Sequence, residues 1–330
     1  MKRDSKFELL RIISMAMIIL SHYGIYGVKY GGISSQNLAF IKPMGEIGVG
    51  LFIMISAYFS TKKEMSVKNL INHFWKIYMR VVFYSWVILL CNIIFKFSSL
   101  NIKFTLKSVF PIIFNNYWFV TSFIFLTLLI PLLNKLINST TSQQLIIIII
   151  IIIIFSGIIP IFGQPFSPLG ENLNASVMIT EYLIIGYYCK YDIKITNFIL
   201  TIVLLITIVG EFLTNIFTGF PSIIASAIIF FFILKIPSFY SRIINWIAAS
   251  VFASYLITEN VLIRIPFWKL VGNLKLPVDN IIKGVFITVM VILVTTLIDK
   301  IYILLNNLFI SRITDKLRLK LIQTINDFLY

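Results

Sequence analysis

The sequence predicts an all-α fold, a polytopic transmembrane helical bundle of about ten spans with both termini in the cytoplasm. Three observations carry this. Of 330 residues, 59% are hydrophobic and 12% charged, against roughly 45–50% and about 25% in an ordinary soluble domain. Apolar segments near the ~20 residues needed to cross the hydrocarbon follow one another with short loops between them. The Lys and Arg residues are shared unequally between the two sets of loops. In a soluble chain the net charge of +15 would suggest nucleic acid. Here the cations fall between apolar runs, where they set topology, so a lipid bilayer is the expected partner and nucleic acid is not.

In chain order, the opening residues MKRDSKFELLR lead into an apolar run without a small-residue cleavage site, so they are read as a retained first span. The expected spans are 7–27, 45–61, 77–97, 117–137, 144–163, 177–189, 197–217, 221–235, 245–263 and 281–306. The span at 177–189 is short and that at 221–235 begins at Pro221, which suits a tilted, re-entrant or extended helix. The nine isoleucines Ile146–Ile154 read as lipid-facing filler. With a cytoplasmic N-terminus, eighteen Lys and Arg fall in the inside segments and nine in the outside ones, which favours both termini inside. Residues 1–310 are expected to form one transmembrane domain. Residues 311–330 form a basic amphipathic cytoplasmic tail, with Ile313, Leu317, Leu321 and Ile325 at helical spacing, as in an interfacial helix.

The first span carries Arg11 and His22 in an otherwise apolar run. Such groups cost several kcal/mol in a bilayer, roughly 2.5–3.5 for Arg on insertion scales, and tend to mark lined cavities. Eleven positions at ~100° each return them to nearly one face, ~17 Å apart along the axis. On the chosen orientation Arg11 lies toward the cytoplasm and His22 toward the outside. The imidazole suits a general base acting on a hydroxyl or thiol. The bland alternatives are a histidine bonded to a neighbouring helix and an arginine snorkelling to the interface. Lys62, Lys63, Lys68, His73, Lys76 and Arg80 cluster before and within the third span. They suit either topology or the phosphates of a nucleotide-bearing donor. Glu46, Glu181, Glu211 and Glu259 fall in the outer half with His22, and any of them suits a carboxylate that orients the imidazole; Asp299 falls near the inside. No metal site is expected, because no histidine pair has ligand spacing. Cys91 and Cys189 read as packing residues.

Five segments in order carry a resemblance: Arg11, ten residues, then His22; GEIGVGLFIMISAYF at 45–59; NNYWFVTSFIFLTLLIPLLN at 115–134; EYLIIGYYCKY at 181–191; and INWIAASVFASYLITENVLIRIPFW at 244–268. Together they resemble the acyltransferase-3 family of bacterial integral-membrane acyltransferases over residues 5–306. That family shows R-x(10)-H in its first helix and then G-x-x-G-V-x-L-F-F-x-x-S-G-Y.

The resemblance implies an O-acetyltransferase of the bacterial cytoplasmic membrane. Such an enzyme moves an acyl group, usually acetyl from acetyl-CoA, to a hydroxyl of an extracytoplasmic polysaccharide or cell-envelope glycan, with acyl-CoA as donor substrate and no bound cofactor. It places the essential histidine at His22 and carries Glu259 over in the segment at 244–268; Glu259 and Glu211 are the candidate acidic companions, Glu211 on its outer-half position alone. Donor contacts fall to Arg11, His73, Lys76 and Arg80, and acceptor-side roles to Glu46, Trp118, Asn260 and Arg264. Three departures stand out. His73 and Lys76 replace two arginines three apart, Thr258 stands where a histidine is frequent, and Ala57 replaces the glycine after Ser56. Direct attack and a transient acyl-enzyme both stay open, because no Ser or Cys is clearly placed as nucleophile. The competing reading is a transporter or flippase for a lipid-linked saccharide or small solute. Such carriers favour internal repeats with broken spans in matching positions, which this sequence does not display.

Overall fold

The computed structural model describes residues 3–34, 38, 41–62, 66–154, 173–193, 196, 202 and 220–329. Among these residues all regular structure is helical. Helix α1 is Ser5–His22, followed by a π-helical turn Tyr23–Gly27 and the short α2, Val28–Gly31. Then come α3 (Met44–Ser60), α4 (Val67–Phe95), α5 (Ile102–Val109), α6 (Trp118–Ser139) and α7 (Ser142–Ile153). They are followed by α8 (Leu173–Tyr191), α9 (Phe220–Lys235), α10 (Arg242–Ala248), α11 (Val251–Thr258) and α12 (Arg264–Asn273). The chain ends with α13 (Asn280–Leu305), a second π-helical turn Asn306–Ile310, and α14 (Ser311–Leu329).

Among the described residues four helices are long and apolar enough to cross a membrane: Ser5–Gly31, Lys68–Phe95, Trp118–Ser139 and Asn280–Ile310. Shorter apolar helices occupy Met44–Ser60, Ser142–Ile153, Pro221–Lys235 and Arg242–Thr258. The described residues are thus those of an all-helical, multi-pass membrane protein, with four helices of spanning length and four shorter apolar ones among them; the expected ten spans are not all within the described residues. Most of the expected span 197–217, the second half of 144–163, and Glu211 lie outside the described residues.

The chain forms two compact units. The first comprises Met1–His22, Leu38–Glu64 and Leu129–Ala248. It is organised on α3, which packs against α1, α8 and α9. Close approach explains the glycines of the 45–59 segment. A Cβ at Gly48 would sit 2.5 Å from the Ser14 carbonyl oxygen, and one at Gly50 would collide with the Glu181 carboxylate and the Ser226 hydroxyl. Small residues at such crossings let helices meet in lipid, where apolar burial alone gives no preference for protein over tails. Phe7 stacks on Tyr58 at 5.3 Å and meets Phe59 edge-on at 5.0 Å. The start of α1 is tied down by the Ser5 amide donating to the Phe239 carbonyl at 2.9 Å and by the Ser5 hydroxyl bonding Asn245 Oδ1 at 2.9 Å. Helix α7 begins with a capping box between Thr141 and Gln144. It buries Leu145 and Ile149 while exposing Ile146, Ile147, Ile150 and Ile151.

The second unit comprises Tyr23–Asn37, Met65–Leu128 and Ala249–Tyr330. Ser66 caps α4 by accepting from the Asn69 amide, and Asp279 caps α13 by accepting from the Ile281 amide. Helix α11 is joined to α13 by a buried 2.6 Å bond between the Ser254 and Thr295 hydroxyls. Helices α2 and α12 meet backbone to backbone, since a Cβ on Gly272 would fall on the backbone of Gly31. Where the sequence predicts one span over 245–263, the structure breaks the helix after Ala248 and again after Thr258. At the second break Asn260 takes over: its carbonyl accepts from the Ile263 and Arg264 amides, and its Oδ1 accepts from the Leu262 amide at 2.9 Å. A short polar side chain bonding its own backbone competes with helix propagation in this way.

Candidate active site

In the first unit the site is a stripe along α1. Glu8, Arg11, Met15, Ile18 and His22 recur every three or four residues, the spacing of one helix face. Met15 and Ile18 are buried, so the polar groups at the two ends are separated by an apolar floor. Arg11 Nη1 donates to Glu8 Oε1 at 2.6 Å. Glu8 is almost buried, whereas the Arg11 side chain is 31% exposed, so the guanidinium is anchored at one edge and open at the other. Glu8 is not among the sequence-derived site residues, although its i, i+3 spacing to Arg11 was there to be seen. His22 is the last residue before the π-helical turn Tyr23–Gly27, in which Gly24 and Gly27 have no Cβ to crowd the widened backbone. Such turns concentrate at functional positions.

Two of the acidic candidates belong to the same unit. Glu46 lies in the first turn of α3. Glu181, on α8, is 1% exposed, and its Oε2 has no hydrogen-bond partner among the described residues. Its carboxylate lies against the bare backbone of Gly50, beside Ser226, whose hydroxyl bonds the Ile47 and Ser222 carbonyls.

The second unit gathers most of the other candidates into two groups. In one, Arg264 Nη1 pairs with Glu259 Oε2 at 3.6 Å and donates to the Tyr26 hydroxyl at 3.5 Å. Its guanidinium also lies 5.0 Å from the Tyr26 ring centroid. Asn260 is fully buried beside them and donates from Nδ2 to the Tyr117 hydroxyl at 2.7 Å. Trp118 opens α6, half-buried and edge-on to Phe119. In the other group, Arg80 pairs through Nη2 with Asp299, whose second oxygen accepts from the Tyr84 hydroxyl at 2.8 Å. The same Nη2 also donates to the Ala249 carbonyl at 3.3 Å. Lys76 lies one turn before Arg80 on α4, and His73 packs edge-on to Phe123. Sequence reasoning missed Asp299 as the partner of Arg80, because 219 residues separate them and no local pattern links them.

Among the described residues no three His, Cys, Asp or Glu side chains gather to hold a metal ion. Cys91 and Cys189 are free thiols. These groups can move a proton through the imidazole and hold an anion through half-anchored guanidinium groups.

A family model described as an acyltransferase domain matches residues 4–300. The chain belongs to the acyltransferase-3 family. No curated protein and no solved structure gives a significant match. The acyltransferase match takes in Glu8, Arg11, His22 and both groups of the second unit. It ends inside α13, ahead of the second π-helical turn and of α14.

Proposed function

We propose that this acyltransferase moves an acetyl group from cytoplasmic acetyl-CoA to a hydroxyl of an extracytoplasmic polysaccharide or cell-envelope glycan, in the cytoplasmic membrane of a bacterium. The observation that carries the reading is the α1 stripe, with His22 and a Glu8-anchored Arg11 on one face of one helix inside the family match. His22 accepts the proton of the acceptor hydroxyl as its oxygen attacks the thioester carbonyl. The new C–O bond forms, the C–S bond breaks, and the imidazolium returns the proton to the departing CoA thiolate. The open edge of Arg11 holds a donor anion, because Glu8 occupies only one side of the guanidinium.

The test is transfer from labelled acetyl-CoA to purified surface polysaccharide by membranes containing the protein. A positioned general base contributes about 10²–10⁴-fold, and His22→Ala is expected to lose that much of the rate at unchanged protein level. Transfer at the native rate by His22→Ala removes the mechanism.

A further inference from the structure

Glu181 lies in the middle of α8, which packs against α3, α7 and α9 in the first unit. It is 1% exposed, and its Oε2 has no hydrogen-bond partner among the described residues. Its Oε1 faces the bare backbone of Gly50, where a Cβ would collide with both that oxygen and the Ser226 hydroxyl of α9. The carboxyl thus fits between the three helices only because residue 50 is glycine.

An ionised carboxylate in such a place needs a cation or several N–H donors, because its desolvation costs several kcal/mol. Among the described residues the packed helices supply neither. The charged residue of α3 is Glu46, one turn before Gly50 and of the same sign, and α7 has none. The cations of α8 and α9 are Lys190 and Lys235, each nine residues along its helix from Glu181 and Ser226, about 13 Å away along the axis. Lys190 is engaged with the Ile137, Asn138 and Thr140 carbonyls. Lys135 of α6 is exposed. Tyr182 turns its hydroxyl to Asn134 Oδ1 at 2.7 Å, and Tyr58, Tyr187, Tyr188, Cys189 and Tyr191 lie toward the Lys190 end. The hydroxyl beside the carboxyl, that of Ser226, has one hydrogen and faces two carbonyls, Ser222 at 2.6 Å and Ile47 at 3.2 Å. Its oxygen can accept from the carboxyl, but it has no second hydrogen to give. The hydrogen that balances this group of acceptors belongs on Glu181 itself.

We propose that Glu181 is a proton-binding site, which keeps its proton in the folded protein and so locks the crossing of α3, α8 and α9. With the proton on, the neutral acid lies against Gly50 and Ser226 without a counter-ion. With the proton off, the carboxylate must draw away from α3 toward water or a cation. The effect reaches α1, because Gly48, on the opposite face of α3, seats Ser14 and Ile18. A carboxyl that keeps its proton does not stabilise an imidazolium, which withdraws Glu181 from the acidic candidates for the partner of His22. The site does not rest on the function proposed above.

The test compares the full-length wild-type protein in detergent with Glu181→Gln, which keeps the shape of the neutral acid, and with Glu181→Met, uncharged and of similar volume. In infrared spectra at neutral pH the wild type is expected to show the carbonyl band of a protonated carboxylic acid that both variants lack. Melting follows as a function of pH. The unfolded chain releases the Glu181 proton above about pH 4.3 while the folded protein retains it, so stability falls as pH rises. The wild-type folding equilibrium is expected to drop by up to about tenfold per pH unit relative to either variant, read as a Tm gap that widens from about pH 5 to about pH 8. The proposal is overturned if the band is the same in all three proteins, or if the Tm gap is constant or closes as pH rises. Stabilisation by added sodium or potassium ions in the wild type alone overturns it too, because a cation then holds an ionised carboxylate. Neither measurement involves acyl transfer, so failure here is separate from a failure of His22 chemistry.

Discussion

The two buried-end ion pairs, Glu8–Arg11 and Arg80–Asp299, involve the same chemical groups and do different work. The first lies within one turn of α1, with its arginine about a third exposed. The second joins α4 to α13 across 219 residues, with Asp299 wholly buried and also bonded to Tyr84. A pair inside one helix loses little when broken, because water still reaches the remaining charge and the helix stands without it. A pair between helices leaves a buried charge behind when one partner goes, and the penalty is that of desolvation. The difference leaves Arg11 with an exposed edge beyond its pair, while Arg80 spends its main hydrogen bonds on joining helices.

Asp299→Ala gives the largest expected effect. It strands Arg80 and is expected to destabilise the protein by about 3–5 kcal/mol, read as a lowered Tm in detergent and reduced yield of folded protein. An unchanged Tm would mean that the pair holds nothing together. Replacing both partners, Arg80→Met with Asp299→Leu, sharpens the same point. Swapping a buried ion pair for apolar groups of similar volume is often neutral, so the double variant is expected to recover most of that loss, and a Tm as low as that of Asp299→Ala would count against a desolvation cause. Glu8→Gln gives the smallest effect on stability, about 1 kcal/mol or less given the exposure of Arg11. It does unmoor the guanidinium, so the apparent KM for acetyl-CoA is expected to rise about threefold or more with Tm nearly unchanged. A Tm loss as large as that of Asp299→Ala would erase the distinction between the two pairs.

What could be read in advance follows the range of the interactions. The stripe of Arg11 and His22 was legible because helix periodicity is a local rule, and Glu8 sits within the same rule although its role was missed. The apolar segments announced a helical membrane protein, since the hydrocarbon demands long, self-bonded helices. The break at Thr258 was not legible. Asn260 ends the helix there by bonding its own backbone while being held by Tyr117, a partner 143 residues away. The glycines of α3 were visible as a motif, but not as the places where Ser14 and Glu181 approach.

By itself the sequence determined the helical class, the membrane character and the placing of Arg11 and His22 on one face of α1, because composition and a 3.6-residue repeat act within a few turns of chain. Only the tertiary structure decided that Asp299 holds Arg80 and that Glu181 is buried against Gly50. Those pairings depend on which helix faces meet, and packing fixes that among residues far apart in the chain.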